Sequence, residues 1–367
     1  MKYFNSFSIF LAIFALVFSS CKPGEDDSDP GIMQMTVYSA GEVKILLFGS
    51  GATAIDWGDG SAKETMAFTG NTHIEFAHIY PNSKDRTIRI FGENIISLDC
   101  SDNILILSLD VSKNAVLREL TCVRNQLKSL DVSNNTALFH LNCEGNQLTS
   151  LDVSSNTALR SLICAKNLLT VLDVSKNTLL DHLNCSQNQF TRIDVSNNKE
   201  LFNLRCSFNQ LTDLDVSNNP RLMSLDCAGN QLTDLDLINN ISLNDLYCFN
   251  NQLTSLNVSK NTVLSRFNCG NNQLTSLDVS SCKILWELNC SGNQLTDLDL
   301  SKNTHLYWLY CSHNQFETVS LNTLFGTLPL NIPVVDERTI FIDGNPGTAT
   351  CDQSIATGKG WKVNDQL

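Results

Sequence analysis

A cysteine recurs every 21 residues along most of this chain. Thiols at a regular spacing in one chain could form disulfides. The ten members of the series are Cys122, Cys143, Cys164, Cys185, Cys206, Cys227, Cys248, Cys269, Cys290 and Cys311. A fixed period of this length is typical of a solenoid, whose coils bury apolar residues against the neighbouring coils. Cysteines in the same slot of successive coils have parallel side chains, so we predict small buried hydrophobic groups rather than disulfides.

A second periodic series is acidic. Its members are Asp110, Asp131, Asp152, Asp173, Asp194, Asp215, Asp236, Asp278 and Asp299, with Asn257 in the remaining slot. Carboxylates about 4.8 Å apart repel by roughly 1 kcal/mol even in water, so something must compensate. One candidate is the serine two positions later with nearby backbone amides and lysines, and the other is a divalent cation such as calcium. We favour the serine, because Asn257 interrupts the row without other adjustment, and we predict no metal site.

The outward positions of the Cys-bearing strands vary, so any ligand specificity should reside there. Toward the C-terminus these positions become aromatic and charged: Asp245, Tyr247, Phe249, Arg266, Trp286, Glu287, Trp308 and Tyr310. Aromatic side chains beside charged groups are typical of a protein hot spot or a platform on which sugars stack. In the alternative interpretation, Tyr307, Trp308 and Tyr310 pack under a C-terminal cap, and the charged residues form cross-strand ion pairs.

Catalytic chemistry has little support in this sequence. His140 and His182 fall on one face but two coils apart, with no nucleophile or carboxylate arranged around both. No phosphate-cradling loop, zinc-ligand spacing or nucleophile elbow is present. A net charge of −13 and a pI near 4.8 argue against nucleic acid as a partner. We therefore predict a protein that is not an enzyme and uses no cofactor.

The residues just described are positioned by one repeat, Leu-x-x-Leu-x-Cys-x-x-Asn-x-Leu-x-x-Leu-Asp-Val-Ser-x-Asn-x-x. This pattern resembles the leucine-rich repeat family, in its short bacterial form with two nested half-repeats per coil. The resemblance covers about Asn94 to Asn314 and implies a right-handed coil with a parallel sheet along one face. The fold class predicted is thus a β-rich solenoid.

Two segments of each coil, Leu-x-Cys and Leu-Asp-Val, show the alternation expected of strands, and the stretch between them is too short for a helix. We therefore predict parallel strands on both walls of the solenoid. The asparagine three places after the cysteine recurs from Asn103 to Asn314. We predict that this asparagine is buried, satisfies backbone groups at the turns and tolerates a left-handed conformation there.

The N-terminus carries targeting signals. Lys2 precedes an apolar run over 7–18 that is too short to cross a bilayer, so residues 1–20 are predicted to be a signal peptide. Phe18-Ser19-Ser20-Cys21 resembles a bacterial lipoprotein cleavage box, which implies lipidation of Cys21; the alternative is an ordinary cleaved signal with a free Cys21. Residues 21–30 are predicted to be a disordered tether. Their acidic residues resemble the surface-export tag of Bacteroidota lipoproteins, which implies an outer-membrane protein displayed at the cell surface.

Both ends of the array are predicted to be closed. Residues 31–93 alternate in strand fashion around Ile55-Asp56-Trp57-Gly58-Asp59-Gly60-Ser61 and His78-Ile79-Tyr80, which resemble the structural motifs of a PKD-type antiparallel β-sandwich. Its last strand, 87–91, should abut the first coil. We place the solenoid at 94–321, with 318–321 as a half-repeat, and a capping segment at 322–367. That cap should contain a short amphipathic turn or helix at 322–328, one degenerate coil at 339–345 and a closing tail.

We therefore predict a non-enzymatic cell-surface scaffold that binds a protein or glycan through the outward face of the Cys-bearing sheet. We expect a monomer that contacts the membrane only through its lipid anchor. Two alternatives remain at this point, a passive structural stalk and an accessory subunit of a glycan-capture system.

Overall fold

The computed structural model describes residues 32–38, 40–69, 72–103, 106–330 and 338–364. An N-terminal β unit leads into a solenoid that a C-terminal cap closes. The N-terminal strands are β1 (Met33–Tyr38), β2 (Gly41–Gly49), β3 (Ala52–Asp56), β4 (Glu64–Ala67), β5 (Ile74–Tyr80) and β6 (Asp85–Phe91). The first coil contains β7 (Ile95–Asp99) and β8 (Ile106–Asp110).

Each following coil contributes one strand of three residues to a parallel sheet. These strands are β9 (Glu119–Thr121), β10 (His140–Asn142), β11 (Ser161–Ile163), β12 (His182–Asn184), β13 (Asn203–Arg205), β14 (Ser224–Asp226), β15 (Asp245–Tyr247), β16 (Arg266–Asn268), β17 (Glu287–Asn289) and β18 (Trp308–Tyr310). The cap contains α1 (Thr318–Thr327), β19 (Arg338–Phe341), α2 (Ser354–Thr357) and β20 (Trp361–Asn364).

Identical residues of successive coils stack in register. Leu141 is the partner of Leu120 in the preceding strand and of Leu162 in the following strand. The central leucine and the next cysteine of each coil point inward, and all ten cysteines of the series are fully buried and free of disulfides. This confirms the predicted thiol column. Burial raises the pKa of Cys143 and Cys185 to about 12, so the column is protonated and chemically quiet.

The second wall of the solenoid is made of turns, and the prediction of a second parallel sheet is wrong. Within the described residues, the Leu-Asp-Val segment is a strand only in the first coil, as β8. Asp152 Oδ1 accepts the backbone N–H of Ser154 at 2.9 Å, and the Val153 carbonyl accepts that of Asn156 at 3.0 Å. These local bonds occupy backbone groups that a sheet between neighbouring coils would need.

Two buried asparagine ladders join the coils. Asn146, in the predicted ladder, donates from Nδ2 to the carbonyls of Cys122 and Cys143 and accepts the Leu127 N–H at 3.0 Å. The predicted burial and backbone contacts are confirmed, but the left-handed residue is the preceding one, such as Gly145 with φ of 71°.

The second ladder was not predicted. Asn156 is fully buried and donates to the carbonyls of Val132 and Asn135, both at 2.9 Å. Its counterparts in other coils are Asn114, Asn135, Asn177, Asn198, Asn219, Asn240, Asn261 and Asn303. Cys282 occupies the one slot between Asn261 and Asn303. Each coil is therefore bonded to its neighbour on both sides of the apolar interior.

The N-terminal unit is a pair of antiparallel layers that continue into the two walls of the first coil. One sheet has the strand order β4-β3-β6-β1-β8, and the other runs β5-β2-β7 and then along the solenoid to β20. The strands that abut the first coil are thus β1 and β2, whereas β6, predicted to do so, lies between β3 and β1. A single hydrophobic core extends from Met33 to Trp361.

The two sequence motifs of the N-terminal unit meet each other. Tyr80 donates its hydroxyl to the Trp57 carbonyl at 2.6 Å, and His78 Nε2 lies 2.7 Å from Asp59 Oδ2. The His78 ring also stacks on Trp57, with centroids 4.9 Å apart. Gly58 has φ of 71°, and a Cβ atom there would lie 2.3 Å from the Thr87 carbonyl oxygen. This turn therefore requires glycine.

The C-terminal cap differs from the prediction at its start. Helix α1 begins at Thr318 and replaces the half-repeat predicted for 318–321, because Leu321, Leu324 and Phe325 have helical spacing and are all buried. The asparagine of the second ladder is also missing at Leu324. The degenerate coil is confirmed, since β19 pairs in parallel with β18 and Asn345 donates to the Cys311 carbonyl. Strand β20 adds one further strand beyond it.

Candidate binding face

The outward side chains of β9 to β18, with those directly flanking the strands, form a surface that we call the sheet face. The pairing register places Asp245, Arg266, Glu287 and Trp308 side by side in one column. Tyr247 and Tyr310 lie in the neighbouring column of the same strands. Apart from Arg266, which is exposed, these side chains are half-buried. The sequence-predicted residues on β15 to β18 are therefore brought together on one surface.

Only one of the predicted ion pairs in this column forms. Arg266 holds Asp245 in a bidentate contact, with Nε 2.5 Å from Oδ1 and Nη2 2.9 Å from Oδ2. Glu287 lies next to Arg266 but makes no salt bridge within the described residues. The pair is partly exposed and therefore organises the surface more than it stabilises the fold.

The tryptophans are held by a stack of rings that ends in the cap. Trp286 meets Trp308 edge to face with centroids 4.4 Å apart, and Tyr307 lies 6.2 Å from Trp286. The Arg338 guanidinium lies 4.9 Å from the Tyr307 centroid and 5.9 Å from that of Trp361. Cation–π contacts of this kind are worth about 0.5 to 2 kcal/mol each. The cap thus supports Tyr307 directly and leaves Trp286 and Trp308 half-exposed.

Tyr310 is partly covered, as the alternative interpretation expected. Its ring stacks on Phe341 with centroids 4.6 Å apart and an interplanar angle of 7°. Loss of solvent around the hydroxyl raises the pKa of Tyr310, and the negative charge of Glu287 adds to the shift. Tyr310 is therefore a neutral hydrogen-bonding group at physiological pH.

Phe249 lies at the margin of this surface. It contacts Phe208 edge to face at 6.3 Å between centroids. The Phe208 ring covers Gly229, where a Cβ atom would lie 2.6 Å from the ring. Phe208 is exposed and Phe249 half-buried, and both follow the strands, so Phe249 belongs to the edge of the candidate site.

One polar cluster of the sheet face was not predicted. Asp226 accepts a hydrogen bond from the Ser207 hydroxyl at 2.9 Å and from the Ala228 N–H at 3.2 Å. Desolvation raises the pKa of Asp226 despite these bonds. The signal in the sequence is a charged residue in a column where other coils carry Asn142, Asn184, Asn268 and Asn289.

The acidic series forms the turns of the second wall. Bonds from the Ser133 backbone N–H and hydroxyl lower the pKa of Asp131, and the serine of the following coil does the same for Asp152. Asn257 makes the equivalent bond to the Ser259 N–H at 3.0 Å. Serine and backbone groups thus compensate the carboxylates. In the described ranges, no group of three or more His, Cys, Asp or Glu side chains is placed to hold a metal ion.

The histidines of the sheet face remain apart. His140 and His182 are separated by Ser161 in the stack of strands. Desolvation lowers the pKa of both imidazoles. Neutral histidines two coils apart provide polar contacts along the surface rather than a paired acid and base.

A comparison with solved structures finds leucine-rich-repeat proteins. The functional domain of InlJ from Listeria monocytogenes, which includes a cysteine ladder, is 31% identical over 76% of this chain and 69% of that chain, with a TM-score of 0.62. The internalin InlF from the same organism is 20% identical over 74% and 87% of the two chains, with a TM-score of 0.61. The ectodomain of the Arabidopsis thaliana receptor kinase GASSHO1/SCHENGEN3, in complex with CASPARIAN STRIP INTEGRITY FACTOR 2, is 21% identical over 70% and 33%, with a TM-score of 0.57.

The fold, the repeat and the InlJ match define the class: this chain belongs to the leucine-rich-repeat proteins. Within that class, its thiol column is similar to the cysteine ladder of the InlJ domain. The other two matches show the fold alone. Comparison with protein-family models and with curated proteins gives no match.

The membrane predictions fall mainly on residues outside the described ranges. The signal peptide at 1–20, Cys21 and the tether at 21–30 all lie there. Among the helices that the structure describes, none is long and apolar enough to span a bilayer.

Proposed function

We propose that this protein is a non-enzymatic recognition scaffold whose sheet face binds another protein, chiefly through β15 to β18. The supporting observation is the Trp286–Trp308 pair, which the ring stack holds in place while leaving both side chains half-exposed. Large aromatic side chains that are fixed before binding lose little entropy when a partner covers them. A surface of this kind suits a protein hot spot.

A protein ligand is favoured over a glycan by the geometry of the rings. Sugars stack best on one flat aromatic face, whereas the planes of Trp286 and Trp308 are inclined by 65°. The bidentate Asp245–Arg266 pair beside them adds the fixed, mixed-charge rim found around protein hot spots. Glycan capture and a passive stalk are therefore outcomes of the test below.

Replacing Trp308 by alanine tests the proposal. Selection of displayed peptides and of arrayed glycans on the purified protein should yield peptide ligands, and Trp308→Ala should weaken them by about 30-fold or more, since a hot-spot residue contributes about 2 kcal/mol or more. Trp308→Phe should retain part of the affinity. The control is Val171→Ala, which is 73% exposed and lies outside the sheet face.

Other outcomes of this screen would overturn the proposal. Glycan ligands that require Trp308 would favour a glycan-capture role. Ligands that bind Trp308→Ala as tightly as the wild type, or no ligand at all, would favour a stalk. Thermal unfolding of each variant separates loss of the contact from loss of the fold.

We also propose that the scaffold is displayed at the cell surface by a lipid on Cys21. The support is the Phe18-Ser19-Ser20-Cys21 sequence after a short apolar segment. In a bacterial host, an alkyne-labelled fatty acid should be incorporated into the wild type but not into Cys21→Ala. The described thiols are buried apart from the half-buried Cys351, so equal labelling of wild type and Cys21→Ala would contradict the anchor.

A further inference from the structure

Glu287 is a carboxylate of the sheet face that differs from several charged side chains in and near that face. On the sheet face Arg266 contacts Asp245, and in the turns that follow the strands Arg124 contacts Asp102 and Lys166 contacts Glu144. Glu287 makes no salt bridge within the described residues. It also accepts no hydrogen bond there, in contrast to Asp226, which accepts two.

The cation next to Glu287 is already engaged. Strand pairing places Glu287 beside Arg266, at the roughly 4.8 Å separation of neighbouring strands. Arg266 directs its Nε and one terminal nitrogen to the two oxygens of Asp245, on the side away from Glu287. A planar guanidinium held in this bidentate way cannot turn to Glu287 without breaking both bonds. Glu287 therefore acts on Arg266 only through its field, and its carboxylate oxygens make no salt bridge with the described residues.

Aromatic side chains border the same carboxylate. Trp308 is its partner on the following strand, and Trp286 precedes it in the chain. Desolvation raises the pKa of Tyr310 in the next coil and of Tyr247 two coils earlier, and the negative charge of Glu287 adds to both shifts. A carboxylate bordered by electron-rich rings attracts a cation by charge and by cation–π contact together.

We propose that Glu287, together with Trp286, Trp308 and Tyr310, binds a basic side chain, arginine or lysine, of the protein ligand. This inference rests on the proposed function and specifies its partner chemistry. The net charge of −13 favours approach of a basic partner over an acidic one. The Asp245–Arg266 pair keeps the neighbouring cation from filling the site.

The test uses two defined peptides, acetyl-Gly-Arg-Gly-Arg-Gly-amide and the same peptide with citrulline, a neutral isostere, in place of arginine. Tryptophan emission is followed at low salt as each peptide is titrated into the full chain. The arginine peptide should bind the wild type saturably and at least several-fold more tightly than the citrulline peptide. Glu287→Gln should weaken its binding by about tenfold, as expected for loss of a charge-assisted contact.

The matched control is Asp297→Asn, which changes the net charge equally at an exposed position outside the sheet face. Its affinity for the arginine peptide should stay within about twofold of the wild type. The inference is overturned if the citrulline peptide binds equally well, if no saturable binding occurs, if Glu287→Gln matches the wild type, or if Asp297→Asn weakens binding as much as Glu287→Gln.

Failure of this inference can be told apart from failure of the proposed function. Selected ligands that require Trp308 but ignore Glu287→Gln would leave the sheet face as a recognition surface without a cation site. If no selected ligand required Trp308, the proposed function itself would be wrong.

Discussion

Replacing Asn188 by leucine should lower the free energy of unfolding by about 3 to 5 kcal/mol, since each unpaired buried polar group costs about 1 to 3 kcal/mol. Asn188 donates from Nδ2 to the carbonyls of Cys164 and Cys185 and accepts the Leu169 N–H, all within 3.1 Å. Leucine has the same number of side-chain heavy atoms with the same branching but satisfies none of these groups. The loss should therefore exceed any gain from added apolar surface.

Denaturant unfolding followed by circular dichroism measures this loss. The control is Asn197→Leu, which makes the same chemical change at an exposed position in the following turn and should alter stability by less than about 0.5 kcal/mol. A repeat array can unfold in parts, so several spectroscopic probes are needed to establish that one transition is observed. Equal stability of Asn188→Leu and the wild type would mean that water or a shifted backbone replaces the side chain.

Leu183→Ala should destabilise the protein by about 2 to 5 kcal/mol, the range for a buried leucine that leaves a cavity. Leu183 is fully buried and lies between Leu162 and Leu204 in the inward column. Collapse around the cavity is restricted, because the hydrogen bonds of both neighbouring strands hold the coils at a fixed spacing. The expected value therefore lies toward the upper half of that range.

The same denaturation experiment with Val171→Ala provides the comparison for a hydrophobic truncation in the preceding coil. Val171 is 73% exposed, so its truncation should change the free energy of unfolding by less than about 0.5 kcal/mol. A small loss for Leu183→Ala, similar to that for Val171→Ala, would show that the interior is loosely packed and would contradict the in-register column.

The sequence predicts the interior of this protein well because the leucines and cysteines that recur every 21 residues are the residues that are buried. In each coil, the inward position that follows the central leucine of the strand is the cysteine. The cysteine spacing therefore identifies this buried position directly. The first asparagine ladder is predictable for a related reason, since its position relative to the cysteine never changes. Both inferences need only the repetition of one unit along the chain. Neither requires knowledge of contacts between residues far apart in the sequence.

The second wall could not be predicted from alternation alone. Leu151 and Val153 face inward on either side of Asp152, which is the pattern of a strand, but the bond from Ser154 to Asp152 makes a turn instead. Aspartate and serine favour turns because their side chains bond to the backbone. Here that preference outweighs the strand preference that the period-two alternation indicates. For the same reason the alternation did not indicate that Asn156 bonds to the preceding coil, since those bonds depend on that turn.

The candidate site was predicted as a set of residues but not as an arrangement. Translation along the repeat places Asp245, Arg266 and Glu287 in one column, and this register is confirmed. Whether Arg266 pairs with Asp245 or with Glu287 depends on side-chain rotamers, which the repeat does not determine. The contribution of Arg338 was also beyond prediction, because it lies past the last regular coil and reaches Tyr307 only through the geometry of the cap.

The in-register stacking of coils has a consequence for how such chains can evolve. Duplication or loss of one 21-residue unit changes the distance between the two ends by about one strand spacing, roughly 4.8 Å. Neither terminal unit has to adapt, because each meets only the coil beside it. Selection can therefore change the distance between the aromatic surface and the N-terminal unit in small, nearly neutral steps. The residues of that surface need not change in the process.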